Sequence, residues 1–264
     1  MKTWICPTGR ISKLFADMLN QPHLLIAGTT GSGKSVLLNG LIATALYRPP
    51  LDVPDGAQFI LIDPKGDELE DYEDLPHTLF YSNTLSGHIK ALQKATIIME
   101  ARNMLTRDRR KKDRSVSKIF SGSDLYVIID EWFDLISASI KSEATTYIQR
   151  LAAKGRSARV HLIVCTQTPL AKVLPTEIRC NFDARVGLRT RDAGQSKLIL
   201  DSAKIGLDKL PAHGYGYYMR PIENEEDTKK NGIFPIPYIR QEEINALIDW
   251  WMAQDGTPHE GQSA

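Results

Sequence analysis

The stretch Leu24-Leu25-Ile26-Ala27-Gly28-Thr29-Thr30-Gly31-Ser32-Gly33-Lys34-Ser35 decides the reading of this chain. From Gly28 to Ser35 it fits G-x-x-x-x-G-K-[ST], the Walker A phosphate-binding loop, at every fixed position. The apolar run before the loop reads as a buried strand, and the run over residues 36–46 reads as a helix. Strand, glycine loop and helix are the context in which this pattern carries chemistry. The glycines allow a tight turn, so that backbone N–H groups converge on phosphate oxygens at a helix N-terminus. In that frame Gly28, Thr29, Thr30, Gly31, Ser32 and Gly33 cradle the phosphates and Lys34 reaches the β- and γ-phosphates. Ser35 places its hydroxyl on Mg²⁺. The chain is expected to bind a nucleoside triphosphate with Mg²⁺.

Working outward, short apolar runs alternate with helical patterns. Strands are predicted over 58–63, 125–130, 160–165, 184–188 and 215–219, and helices over 86–107, 144–152 and 240–252. The second of these helices has Ala144, Tyr147, Ile148, Leu151 and Ala152 on one face. In the first, Ile89, Leu92, Ala95, Thr96, Met99 and Leu105 share a face. Buried strands alternating with helices imply an α/β fold with a mainly parallel sheet covered on both faces. Residues 1–23 read as a short lead-in, 24–252 as one domain and 253–264 as a disordered tail. The segment 223–232 reads as a hairpin or loop.

At 264 residues the chain can bury a sizeable core. Its 33 basic and 32 acidic residues nearly cancel, so net charge points to no partner. Charge is local instead. Residues 102–118 hold eight basic and two acidic side chains, and residues 63–74 hold seven acidic side chains and one lysine. Such blocks are commonly solvated faces or loops, and the stretch from 107 to about 123 is expected to be a loop, alone or with a short helix in it. Its basic run, 107–114, reads equally as a contact for nucleic-acid phosphates and as a solvated outer surface. Cys6, Cys165 and Cys180 have no paired or metal-ligand spacing, which suits a reducing, cytoplasmic setting. No apolar run reaches membrane-spanning length, so no membrane segment is expected.

Asp130-Glu131 closes the third predicted strand. Beside a phosphate loop, such a pair reads as a Mg²⁺ ligand, Asp130, followed by a general base, Glu131, that deprotonates an attacking water. Gln167 ends the fourth strand, which is expected to lie between the loop strand and the Asp-Glu strand. It reads either as a sensor of the γ-phosphate or as a polar strand cap. Arg156 and Arg185 are each readable as a finger donated across a subunit boundary or as an ordinary surface arginine. The pairing of loop and acidic base points to ATP hydrolysis, against a kinase, for which no arginine-rich lid is visible, and against an assembly switch, which needs no base.

These pieces, in this order, resemble the motor domain of the FtsK/SpoIIIE family of double-stranded DNA translocases. The likeness runs from about residue 9 to residue 252. It is carried by His23 to Ser35 with its double threonine, Ile62-Asp63-Pro64-Lys65, Met99-Glu100-Ala101-Arg102 and Ile129-Asp130-Glu131-Trp132-Phe133-Asp134-Leu135. It continues through Leu151 to Arg156, His161-Leu162, Thr166-Gln167 with Pro169, and Ile178 to Asp201. The resemblance implies a RecA-like P-loop ATPase core that assembles as a homo-oligomeric ring, a hexamer, around double-stranded DNA gripped by its backbone. It also implies ATP sites between subunits, which would give Arg156 a role in trans, and a protein that recruits the motor. Lys197 and Tyr215 depart from the family pattern, which has arginine and an acidic residue there. The motor alone, without membrane segments or a winged-helix module, suits a mobile element or phage, in conjugative transfer, plasmid maintenance or DNA packaging. The same superfamily includes secretion and coupling ATPases acting on protein or nucleoprotein, and this is the competing expectation.

Overall fold

A computed structural model describes residues 10–167, 179–202, 205–211, 214–221 and 231–254. Eight strands form one sheet: β1 (His23–Ala27), β2 (Ala57–Ile62), β3 (Thr78–Ser82), β4 (Asp124–Ile129), β5 (Val160–Thr166), β6 (Ala184–Leu188), β7 (Tyr215–Met219) and β8 (Gly232–Pro235), in the order β3-β2-β4-β5-β1-β6-β7-β8. The six strands β1–β6 are parallel, and β7 and β8 add an antiparallel edge. β5 lies between the loop strand β1 and the Asp-Glu strand β4, as its sequence position implies.

The central strands are apolar along their whole length because both faces are covered. Alternate residues point to opposite layers. Leu24 and Ile26 of β1, Phe59 and Leu61 of β2, and Tyr126 and Ile128 of β4 join one core. Leu25, Ile60, Ile62, Val127 and Ile129 join the other. The first core is covered by α1 (Arg10–Leu19), α2 (Lys34–Ala45) and, at the far end of the chain, Gln241–Met252. The second is covered by α3 (Leu85–Lys112), α4 (Trp132–Ser137) and α5 (Lys141–Ala158). Next in chain order comes α6 (Ala193–Leu200), which packs with Leu207 and Leu210 over Ala27, and the C-terminal helix Gln241–Met252 is α7. The result is the α/β, RecA-like P-loop ATPase architecture.

Three expectations need correction. The lead-in contains α1, whose Phe15, Met18 and Leu19 are buried in the first core. The run read as a loop from residue 107 is still helix as far as Lys112. α3 is 28 residues long, ~42 Å at 1.5 Å per residue, and its last turn is Arg109, Arg110, Lys111 and Lys112. Four cations there complement the negative end of the helix dipole. Leu105, placed on the buried face, is exposed, whereas Ile89, Leu92, Ala95, Thr96 and Met99 are buried as expected. Arg102 is also buried. Its guanidinium donates to Ser123 O at 3.0 Å and Ala158 O at 3.2 Å, tying α3 to the starts of β4 and β5. Most of the hairpin predicted over 223–232 and the tail from 255 lie outside the described residues. No helix among the described residues is long and apolar enough to cross a membrane.

Candidate nucleotide site

The site forms where β2, β4, β5, β1 and β6 end on the same edge of the sheet. Register places Ala27 beside Thr166 and Gly187, and Ile62 beside Ile129. The residues that follow these positions are Gly28, Gln167, Asp63 and Asp130, so four sequence-distant segments meet on one edge. In an open α/β sheet this carboxyl edge is where ligands bind.

The loop from Gly28 is stitched to both neighbouring strands. Gly28 N–H donates to Thr166 O at 3.2 Å, and Thr29 N–H donates to Arg189 O at 3.0 Å. Gly31 and Gly33 have φ of +74° and +98°, in the region that favours glycine. Gly28 is required for a different reason. A Cβ there would stand 2.5 Å from Leu188 Cβ and 2.8 Å from Ser32 Oγ. α2 then starts at Lys34, with its first N–H groups turned to the loop.

Lys34 is buried, and its ammonium donates to the Asp130 carboxylate and to Asp130 O at 3.3 Å. Burial opposes its charge, but the Cys165 sulfur, Asp130 and Glu68 outweigh that and hold it above the ordinary lysine value. Asp130 moves the other way. Burial raises its carboxyl above the usual range and Lys34 only partly offsets this. Ser35 Oγ donates to Glu68 Oε1 at 2.5 Å. Glu131 is buried, which raises its carboxyl, and it accepts from the backbone N–H groups of Gln167 at 3.0 Å and Phe133 at 3.2 Å. It thereby caps α4. Thr30 Oγ1 donates to Gln167 Oε1 at 2.7 Å, so Gln167 sits against the loop.

The structure therefore brings together Gly28 to Ser35, Asp130, Glu131 and Gln167. It does not bring in either arginine. Arg185, on β6, is a correction. Its buried guanidinium donates to Phe182 O at 2.7 Å, Ile199 O at 3.0 Å, Asp201 Oδ2 at 2.5 Å and Arg179 O at 3.3 Å. Four of its five N–H donors are thus spent inside its own chain. Arg156 is exposed in the last turn of α5, just before β5 begins, and so at the opposite edge of the sheet from the loop. Sequence reasoning missed Glu68, placed in a block taken for a solvated face.

The loop fits a polyphosphate with a cation. Ser32 Oγ and Asp130 Oδ2 are buried without a hydrogen-bond partner among the described residues, an arrangement that is costly unless a ligand completes it. No group of three or more His, Cys, Asp or Glu gathers as a cation site among the described residues.

The sequence model of the FtsK/SpoIIIE family matches residues 7–171. The chain belongs to the FtsK/SpoIIIE family. It is 33% identical over 88% of its length to the DNA translocase FtsK of Borreliella burgdorferi, of which it covers 30%. It is 35% identical over 90% of its length to that of Caldanaerobacter subterraneus, of which it covers 33%. The chain thus spans about a third of the length of these curated FtsK relatives. Among solved structures, 88% of the chain superposes on the pCW3 conjugation coupling protein TcpA in a monomer form with ATPγS, at TM-score 0.70, 23% identity and 66% of that chain. It also superposes on the cytoplasmic domain of the type VII secretion ATPase EccC of Thermomonospora curvata, at TM-score 0.62 and 22% identity over 88% of this chain and 28% of that one. These likenesses show the shared fold.

Proposed function

We propose that this chain is an ATP-hydrolysing motor that moves double-stranded DNA. The observation that carries this reading is the convergence of Lys34, Ser35, Asp130, Glu131 and Gln167 at one sheet edge in a member of the FtsK/SpoIIIE family. Its relatives named DNA translocase FtsK support DNA as the substrate.

In this reading the loop N–H groups and Lys34 bind the triphosphate, and Lys34 exchanges Asp130 for phosphate oxygens. Ser35 and Asp130 would hold Mg²⁺, which when bound neutralises charge on the β- and γ-phosphate oxygens. Glu131 takes the proton of the attacking water at its carboxylate, and burial, by raising its basicity, suits it to that task. Gln167 reports the γ-phosphate to the loop through Thr30. Arg156 is the exposed arginine that a neighbouring subunit would present, which calls for a ring, a hexamer by family likeness. A cytoplasmic setting and a protein that loads the motor belong to the same reading, as does service to a mobile element or phage.

The test is ATP hydrolysis with and without long duplex DNA across a salt series, with Lys34→Ala as blank. Strong stimulation that weakens as salt rises is expected, because a backbone grip releases counterions. Hydrolysis indifferent to DNA at every salt concentration would overturn the DNA assignment in favour of a coupling ATPase for protein.

A further inference from the structure

Ser35 lies in the first turn of α2 and Glu68 in the turn after β2, yet the structure joins them. Asp63, buried at the end of β2, builds that turn. Its Oδ1 accepts from Gly66 N–H at 2.9 Å, and its Oδ2 accepts from Glu68 N–H at 3.0 Å and Leu69 N–H at 2.9 Å. Gly66 takes φ +73° and Leu69 is fully buried. The backbone of Glu68 is thus fixed on both sides, and its Oε1 stands 2.5 Å from Ser35 Oγ as the acceptor.

A serine hydroxyl has one proton and two lone pairs. To ligate a cation it must turn a lone pair toward the metal and send its proton elsewhere. Asp130 Oδ1 is engaged by Lys34, and its Oδ2, unpartnered among the described residues, is the oxygen left for the cation itself. Glu68 already accepts the hydrogen bond that this proton makes. We propose that Glu68 is a positioning residue for the Mg²⁺ of the nucleotide complex: by accepting the Ser35 hydrogen bond it fixes the hydroxyl with a lone pair free for the cation. This rests on the ATPase reading and adds to it a residue outside the loop and outside the Asp-Glu pair. Partners that orient a metal ligand in this way typically change metal affinity ~10–100-fold when removed.

The experiment is equilibrium binding of a fluorescent ADP analogue by the whole chain, titrated with Mg²⁺ and repeated in EDTA. Glu68→Ala should raise the Mg²⁺ midpoint at least about tenfold and leave the metal-free affinity unchanged, which also shows that the variant is folded. Glu68→Gln keeps a carbonyl acceptor and should restore most of the midpoint. In a Ser35→Ala background, Glu68→Ala should add nothing, because the hydroxyl it orients is gone. An unchanged midpoint in Glu68→Ala, a glutamine variant as poor as alanine, or a full effect in the Ser35→Ala background would each overturn the inference while leaving the ATPase reading standing. Wild type that binds no nucleotide under any condition would overturn the reading and the inference together.

Discussion

Lys34 and Asp130 spend their charges on each other as a buried pair. An anion that displaces Asp130 from Lys34 leaves a buried carboxylate to be paired, which is the role a Mg²⁺ arriving with the nucleotide would fill. Glu131 is held differently. Both its oxygens accept backbone N–H groups, and one of those bonds caps α4. This separates its two roles by chemistry. Glu131→Gln can keep Oε1, which accepts from the N–H groups of Phe133 and Gln167, and loses only the Oε2 bond to Gln167 while removing the base, so the fold and nucleotide binding should survive. Turnover should fall by ~10²–10⁴-fold, the usual contribution of a positioned base. Steady-state hydrolysis beside equilibrium nucleotide binding checks this, and a variant that still turns over at the wild-type rate would remove Glu131 from the mechanism.

At the scale of elements, legibility followed burial. β1, β4 and β5 are apolar on both faces, so their sequences announce them, and β6 and β7 fall where expected. β3 was missed because it is an edge strand, with Thr78 to Tyr81 only half buried and an apolar run of just three residues, Leu79 to Tyr81. α3 was cut short at its charged end, where arginine and lysine are good helix formers that periodicity alone overlooks. The loop, the acidic pair and Gln167 were legible because strand ends position them. Glu68 was not, since its place depends on Asp63 folding a turn through three backbone bonds that leave no pattern in sequence. α1 did carry a signal, Phe15, Met18 and Leu19 at helical spacing, in ten residues too short to stand out. Its weight can be measured. Phe15 is fully buried against α2, where a Cβ on Gly40 would stand 2.5 Å from its ring. Phe15→Ala should cost about 3–5 kcal/mol in urea unfolding, as one cooperative transition. A loss under about 1 kcal/mol would return α1 to the status of a loose lead-in.

Across the whole molecule, the parallel sheet stands on a polar end opposite the nucleotide site, and that end sets the response to acid. Asp124, at the start of β4, is buried, yet hydrogen bonds from His161, Arg159 and Arg48 outweigh burial and hold its carboxyl far below the usual range. Its contribution is complete above the unfolded carboxylate value and fades only in strong acid. Two histidines act at milder pH. His23 is lowered to about 4 by burial and by the nearby His161. Its Nδ1 accepts from Leu162 N–H, and its Nε2 donates to Ala152 O at 2.9 Å, so it is held neutral. His77 is lowered to about 4 by burial; it stacks on Phe59 and meets Trp251 edge to face. In both, the unfolded chain takes up a proton near pH 6.5 and the folded chain does not until about 4. Between those values the unfolded state binds more protons, so stability must fall as pH falls. The loss from pH 7 to pH 5 should be on the order of 2 kcal/mol for each histidine. The urea midpoint should drop over that interval, and His77→Asn, which cannot titrate, should flatten its share of the slope. A His77→Asn variant with the wild-type slope between pH 7 and 5 would show that His77 titrates as freely in the fold as out of it.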